Sequence, residues 1–201
     1  MYKFYDFPLS GNCYKVRLLL TQLGIPFETI NVDILQQETS LPDFLQKNPN
    51  GKVPVLEIEP GTFLTESNSI LLYLAEGTAL LPTAKLDRIQ VMQWLFFEQF
   101  SLGANLSRPR FWISVTQQAE KFASLIQYHQ RLGNVALQVM EQHLAERSFF
   151  VNEQYTIADI ALYAYTHRAT EGGYDMSPFP KIADWCRLVR SQPQYVSLAA
   201  I

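Results

Sequence analysis

The chain has 201 residues, of which 48% are hydrophobic and 17% charged. This is the composition of a globular protein with one large domain or two small ones, and it excludes an intrinsically disordered chain. A net charge of -3 argues against general affinity for nucleic acid or anionic membranes. We expect no signal peptide and no membrane-spanning segment, since no apolar run is long enough. Two cysteines suit a reducing, cytoplasmic location.

The first 81 residues alternate between strand and helix patterns. An aromatic strand at Tyr2–Asp6 leads through a turn into a helix, whose apolar side chains recur at helical spacing until Gly24 ends it. Later elements of this half are predicted as strands at residues 27–32, 53–58 and 62–64 and as helices at residues 42–46 and 67–75. Strands and helices in this order predict a compact α/β domain over residues 1–81.

The pattern changes after residues 82–86, which we interpret as a linker. We find no strand pattern in residues 87–201 and predict an all-α domain there. Its helices are predicted at residues 86–100, 117–147, 157–165 and 182–189. Gly133 lies inside the longest stretch, which leaves open whether that stretch is one bent helix or two.

The segment Thr156–Asp159 has the pattern of a helix start. Thr156 can cap the helix while the Asp159 carboxylate reaches back to the Thr156 amide, which is the capping-box pattern. We interpret this segment as a folding device rather than as a catalytic acid.

Three features of the first domain suggest a peptide-binding site. Ser10 precedes the first helix, where a serine either caps the helix or faces a ligand above its free amides. Val53 precedes Pro54, so its backbone is extended and a cis bond is cheap; a cis bond turns the Val53 amide and carbonyl toward a ligand main chain. Glu66 and Ser67 open a later helix, where an acid and a hydroxyl can grip an ammonium and a carboxylate.

The segments that carry these features resemble the cytosolic glutathione S-transferase family. The matching segments are residues 10–17, 48–54, 66–70 and 156–159, so the resemblance spans essentially the whole chain. It implies an α/β N-terminal thioredoxin-like domain with a four-stranded mixed sheet, followed by an all-α C-terminal helical domain. The Ser10 pattern is most similar to the serine-type bacterial classes, theta-like or chi-like.

The resemblance also implies roles for individual residues toward glutathione. The Val53 backbone, beside Pro54, would pair with the cysteinyl unit of glutathione. Glu66 and Ser67 would hold its γ-glutamyl ammonium and carboxylate. The glycyl carboxylate would meet Lys52 and Gln37.

Ser10 would donate a hydrogen bond to the glutathione sulfur and favour its thiolate. A free thiol has a pKa near 8.5, so roughly 3% is ionised at pH 7; lowering that pKa by about two units raises the reactive fraction about twenty-fold or more. Cys13, in the first turn of the same helix, is the alternative, because a reactive cysteine there would favour mixed disulfides and thiol exchange. By register we place Ser10 ahead of Cys13.

The implied activity is conjugation of the glutathione thiolate to hydrophobic electrophiles, with aryl halides and isothiocyanates expected at the level of the class. The alternatives are other glutathione chemistry on the same scaffold (peroxidase, thiol-disulfide reductase, dehalogenase or isomerase) and a non-catalytic interaction module. The resemblance further implies a homodimer, and we expect no metal because the three histidines show no ligand spacing. The expected electrophile pocket is lined by Phe7, Leu9, Arg108, Phe111 and Trp112.

Overall fold

The structure, a computed structural model, describes residues 1–198. The chain forms two compact units, one of residues 1–76 with residues 193–198 and the other of residues 77–192. The linker expected at residues 82–86 stays a prediction.

The first unit is built on a four-stranded mixed sheet with the strand order β2-β1-β3-β4. Strand β1 pairs parallel with β2 and antiparallel with β3, and β3 pairs antiparallel with β4. The strands are β1 Tyr2–Asp6, β2 Phe27–Asn31, β3 Val55–Glu59 and β4 Thr62–Leu64, and the helices are α1 Gly11–Gln22, α2 Pro42–Leu45 and α3 Ser67–Ala75. This architecture confirms the predicted thioredoxin-like α/β class. Strand β3 begins two residues later than predicted, after Pro54, which has no N–H to donate to a ladder.

Helix α1 is fixed to the sheet by apolar burial and by one ion pair. The side chains of Val16, Leu19 and Leu20 have no solvent exposure, as the helical spacing of apolar residues predicts. Arg17 donates from Nε to Asp6 Oδ2 at 3.0 Å and from Nη2 to Asp6 Oδ1 at 2.8 Å, in a bidentate pair. The start of α1 is therefore held in a defined position beside the end of β1.

A segment distant in sequence completes the first unit. Residues 193–198 belong to it, and the hydroxyl of buried Tyr14 donates to the carbonyl oxygen of Val196 at 2.8 Å. Local sequence pattern contains no signal for this contact, because the two residues lie 182 positions apart.

The second unit is helical, as predicted. Its helices are α4 Lys85–Phe97, α5 Ala104–Arg110, α6 Ala123–His143, α7 Ile157–Thr166 and α8 Pro180–Arg190. Two π-helical segments, residues 98–103 and 111–115, flank α5 and were not predicted. Pro109 inside α5 lacks an N–H, which weakens the helical signal of this stretch in the sequence. Val151 and Gln154 form an isolated β-bridge.

Helix α7 is the buried centre of the second unit, and each of its ten residues is buried. Its capping box is present, which confirms the predicted helix start. The Asp159 carboxylate accepts from the Thr156 N–H at 2.9 Å and from the Trp185 indole N–H at 2.9 Å. It also accepts from the Phe150 N–H at 3.3 Å, so one buried carboxylate joins α7 to α8 and to the preceding loop.

Helix α6 is continuous through Gly133, which settles the alternative left open by the sequence. A side chain at position 133 would overlap the hydroxyl oxygen of Tyr174 and lie 2.8 Å from its ring. That hydroxyl donates to the carbonyl oxygens of Asn105 and His129, at 2.9 and 3.1 Å. Gly133 is therefore required by close packing and not by a bend.

We expect Gly133→Ala to destabilise the protein by about 1–3 kcal/mol, because the added methyl group displaces the buried Tyr174 ring. Helix propensity alone predicts the opposite sign, a gain of about 1 kcal/mol. Urea denaturation of both proteins measures the difference. The matched comparison makes Gly133→Ala in a Tyr174→Phe background. Without the hydroxyl group, Gly133→Ala should cost less stability than it does in the wild type. A rise in the urea midpoint of Gly133→Ala would contradict the packing argument.

Candidate active site

Ser10 caps α1 at the point where the chain leaves β1. Its backbone is extended, with φ -77° and ψ 123°, and its Oγ accepts from the Cys13 N–H at 3.2 Å. Its own N–H donates to the carbonyl oxygen of Phe7 at 2.9 Å. The half-buried hydroxyl thus lies at the positive end of the helix dipole, with its oxygen accepting from the backbone.

Cys13 has no solvent exposure and faces the interior of the first unit. Its sulfur accepts from the Phe7 N–H at 3.5 Å. Burial, followed by the charge of Asp6, raises the pKa of Cys13 to about 12; hydrogen bonds from Ser10 and Phe7 and the charge of Arg17 act in the opposite direction. At neutral pH this thiol is protonated and enclosed, which is the reverse of what a reactive cysteine needs.

The Val53–Pro54 peptide bond is cis. Val55, which follows it, pairs with Tyr5 across the antiparallel ladder, so the start of β3 lies beside the end of β1. The loop that carries Val53 therefore lies close to the loop that leads to Ser10. Among the loop and turn hydrogen bonds of residues 1–198, none involves the N–H or C=O of Val53.

The turn before Val53 is braced by Asn48. Its side-chain nitrogen donates to the carbonyl oxygen of Lys52 at 2.7 Å, and its side-chain oxygen accepts from the Asn50 N–H at 3.0 Å. Asn48 is buried, whereas the side chain of Lys52 is exposed. The backbone of the turn is thus fixed while the lysine amine remains in solvent.

Glu66 and Ser67 lie at the start of α3, where Glu66 is exposed and Ser67 is buried. Glu66 has φ 62° and ψ 111°, which is a costly conformation for a residue with a side chain and is typical of functional positions. The Ser67 hydroxyl accepts from Lys15 Nζ at 3.3 Å and donates to Asn12 Oδ1 at 3.5 Å. The start of α3 is thereby linked to the start of α1.

Lys15 contacts the start of α3 and was not among the residues predicted from the sequence. The signal was present: a lysine four residues before Leu19 lies on the apolar face of α1, where a charge is unexpected. Gln37, by contrast, is exposed on a separate turn with φ 59°. Within residues 1–198, the backbone hydrogen bonds of Gln37 stay inside its own turn, to Ile34 and Ser40, and do not reach the other candidate residues.

The expected pocket residues lie in both units. Phe7 is buried and Leu9 half-buried in the first. In the second, Arg108 Nη1 lies 3.3 Å from His129 Nε2, and the Trp112 ring stacks on Phe122 with centroids 4.7 Å apart. The remaining residue, Phe111, belongs to the π-helical segment after α5, and its carbonyl oxygen accepts from the Thr116 N–H at 2.8 Å.

Arg110, two residues after Arg108, is buried, and its Nε pairs with the Glu171 carboxylate at 2.6 Å. The three histidines also lie in the second unit and are partly or largely buried there. Burial lowers the pKa of His129 and of His143, and lowers the pKa of His167 to about 4. In residues 1–198 no cluster of three or more His, Cys, Asp or Glu side chains is placed to hold a metal ion.

Comparison with known families identifies two domains in this chain. Residues 4–80 match the glutathione S-transferase N-terminal domain, and residues 105–193 match the glutathione S-transferase C-terminal domain. The chain belongs to the glutathione S-transferase family. Among the described residues, no helix of this transferase combines the length and apolar character needed to cross a membrane.

Individual relatives cover almost the whole transferase chain. A glutathione S-transferase from Pseudomonas fluorescens is 47% identical with a TM-score of 0.96, and 99% of each chain is covered. The disulfide-bond oxidoreductase YfcG of Escherichia coli is 29% identical over 93% of this chain and 89% of its own. A second transferase from Pseudomonas fluorescens, solved with two glutathione molecules bound, is 27% identical with a TM-score of 0.83, over 96% of this chain and 89% of its own.

Proposed function

We propose that this chain is a serine-type glutathione transferase that binds glutathione on its first unit and conjugates its thiolate to hydrophobic electrophiles. The observation that carries the proposal is the placement of Ser10 at the start of α1, beside the Val53 loop and linked through Asn12 to the start of α3. In this proposal Ser10 contacts the thiol of glutathione, the Val53 loop pairs with its main chain, and the start of α3 binds its charged groups, all on one unit.

In the proposed arrangement the Val53 N–H and C=O, preceding Pro54, pair with the cysteinyl main chain of glutathione. Glu66 accepts from the γ-glutamyl ammonium, and Ser67 with the amides of α3 donates to its carboxylate. The exposed amine of Lys52 serves the glycyl carboxylate. Gln37 is proposed for the same carboxylate on the resemblance alone.

Ser10 is the residue that we propose activates the glutathione thiol. Its Oγ accepts from the Cys13 N–H, and we propose that its hydroxyl donates to the glutathione sulfur when glutathione is bound. A donated hydrogen bond and the dipole of α1 both favour the thiolate. The thiolate then attacks an electrophile, with aryl halides and isothiocyanates as the proposed classes, in a pocket lined partly by Phe7 and Leu9.

Thiol-disulfide exchange is the second candidate, because a 29% identical relative is a disulfide-bond oxidoreductase. In this chain such a reaction would proceed through the glutathione thiolate. Cys13 is unsuited to form a mixed disulfide, because its sulfur is enclosed and protonated.

We also propose a cytoplasmic homodimer. Phe96 and Phe100 of the second unit are 72% and 85% exposed, an unusual degree for phenylalanine and suitable for an interface. Trp94, by contrast, packs against His143 and Phe150 with ring centroids 4.7 Å apart. Size-exclusion chromatography with light scattering tests the dimer directly.

Glu66→Gln tests how glutathione is held. We expect its Kd for glutathione to rise about tenfold to a hundredfold, because a charge-assisted hydrogen bond contributes about 1.5–3 kcal/mol. Glu59→Gln, at the end of β3 and also exposed, is the matched control and should leave the Kd unchanged. Calorimetry measures each value. Equal affinity of Glu66→Gln and wild type would contradict the proposed pose, and no wild-type binding would contradict the function.

The reaction class is tested by turnover with glutathione and four kinds of second substrate: aryl halides, isothiocyanates, hydroperoxides and mixed disulfides. We expect the highest kcat/KM with an aryl halide or an isothiocyanate. Activity confined to the mixed disulfides would instead establish the exchange reaction.

A further inference from the structure

A lysine is completely buried beside the proposed γ-glutamyl site. Lys15, in α1, has no solvent exposure, although lysine is almost never fully buried unless its amine is paired. Its Nζ lies 3.3 Å from the hydroxyl oxygen of Ser67 and 3.3 Å from the side-chain oxygen of Asn68. Both acceptors belong to the first turn of α3, so part of the cost of burying this amine is offset by the residues that begin that helix.

The chemistry of an ammonium group decides the direction of these hydrogen bonds. It has three donors and no acceptor, so the Ser67 oxygen must accept from it. The Ser67 proton is then directed to a different acceptor, which is Asn12 Oδ1 at 3.5 Å. A separation of 3.5 Å is at the limit of a hydrogen bond, so a carboxylate oxygen that approaches Ser67 is the better acceptor.

We propose that Lys15 is a positioning residue for glutathione recognition, an inference that rests on the function proposed above. By donating to Ser67 and Asn68, Lys15 holds the Ser67 hydroxyl with its proton toward the γ-glutamyl carboxylate. Lys15 acts through Ser67 and does not touch glutathione.

The test compares two peptides on wild type and Lys15→Met. Glutathione carries the γ-glutamyl carboxylate, whereas 4-aminobutanoyl-Cys-Gly lacks it and keeps the ammonium. Methionine preserves most of the length of the side chain and removes its donors. We expect Lys15→Met to weaken glutathione binding about tenfold and to leave the Kd of the second peptide within about twofold. In turnover the KM for glutathione should rise by the same factor while kcat at saturation changes less than twofold.

Two further variants separate positioning from a general loss of structure. Lys15→Arg keeps a charged donor and should restore most of the discrimination between the peptides. Lys15→Met combined with Ser67→Ala should bind glutathione no more weakly than Ser67→Ala alone, because the lysine acts through that hydroxyl. If Lys15→Met does not fold, the two peptides are compared on Lys15→Gln instead. The glutamine side chain is one atom shorter than lysine, so its terminal nitrogen cannot reach both acceptors.

Equal weakening of both peptides by Lys15→Met or by Lys15→Gln overturns the inference, because that is the effect of a merely structural lysine. Failure of the proposed function has a different signature: the wild-type protein would then bind neither peptide. The first outcome is measured on the Lys15 variants and the second on the wild-type protein, so the two can be distinguished.

Discussion

Replacing Ser10 with alanine is expected to lower the rate of conjugation at pH 7 about 25-fold. With a thiol pKa about two units below the free value of 8.5, about three quarters of bound glutathione is thiolate at pH 7, against about 3% without the shift. Ser10→Ala removes the proposed donor and returns the thiol toward its free pKa. Glutathione affinity should change by no more than a few-fold, because the ion pairs and the main-chain edge remain.

The pH dependence distinguishes loss of the thiolate from loss of structure. The wild-type and Ser10→Ala rates should converge above about pH 9.5, where the thiol ionises without help. Absorbance of the thiolate in the enzyme–glutathione complex measures the pKa directly. Ser10→Ala also removes a helix cap worth about 1 kcal/mol, so its unfolding midpoint must be measured alongside.

Two variants serve as controls for Ser10. Ser10→Thr keeps both the cap and the hydroxyl and should retain most of the activity. Cys13→Ala should keep the pH profile of the wild type, since the Cys13 thiol is enclosed and protonated. Full activity of Ser10→Ala, or loss of the low-pH activity in Cys13→Ala, would assign activation of the thiol to another group.

Replacing Asp159 with alanine is expected to destabilise the protein by about 3–5 kcal/mol. The substitution leaves three buried N–H donors without an acceptor, those of Thr156, Trp185 and Phe150. Each costs about 1–3 kcal/mol, and the sum is a large part of the 5–15 kcal/mol that stabilises a typical domain. Asp184→Ala, an exposed carboxylate on α8, is the control and should change stability by less than about 0.5 kcal/mol. Similar urea midpoints for the two variants would contradict this assignment.

The same carboxylate makes stability depend on pH. Burial raises the pKa of Asp159 to about 6 from an ordinary value of 3.8, against the opposing effect of its hydrogen bonds. Between these values the native state holds a proton that the unfolded state has released, so the contribution of Asp159 is fully present below about pH 4 and is lost as pH rises through about 6. The stability of wild type relative to Asp159→Asn should therefore decrease from pH 4 to pH 7.

Features that depend on neighbouring residues could be predicted from the amino-acid sequence. The capping box at Thr156–Asp159, the bounds of β1, β4 and α3, and the all-helical character of the second half follow from spacings of two to seven residues. Such patterns are readable because strand and helix periods, caps and turns are local properties of the backbone. The proposed glutathione contacts came from motif resemblance.

Contacts between side chains distant in sequence became known from the folded structure. Lys15 reaches Ser67 across 52 residues, and Tyr14 reaches Val196 across 182. The enclosure of Cys13 and the contact that forbids a side chain at Gly133 likewise depend on segments brought together by folding. No local period encodes these contacts, because each is set by the packing of whole elements against one another.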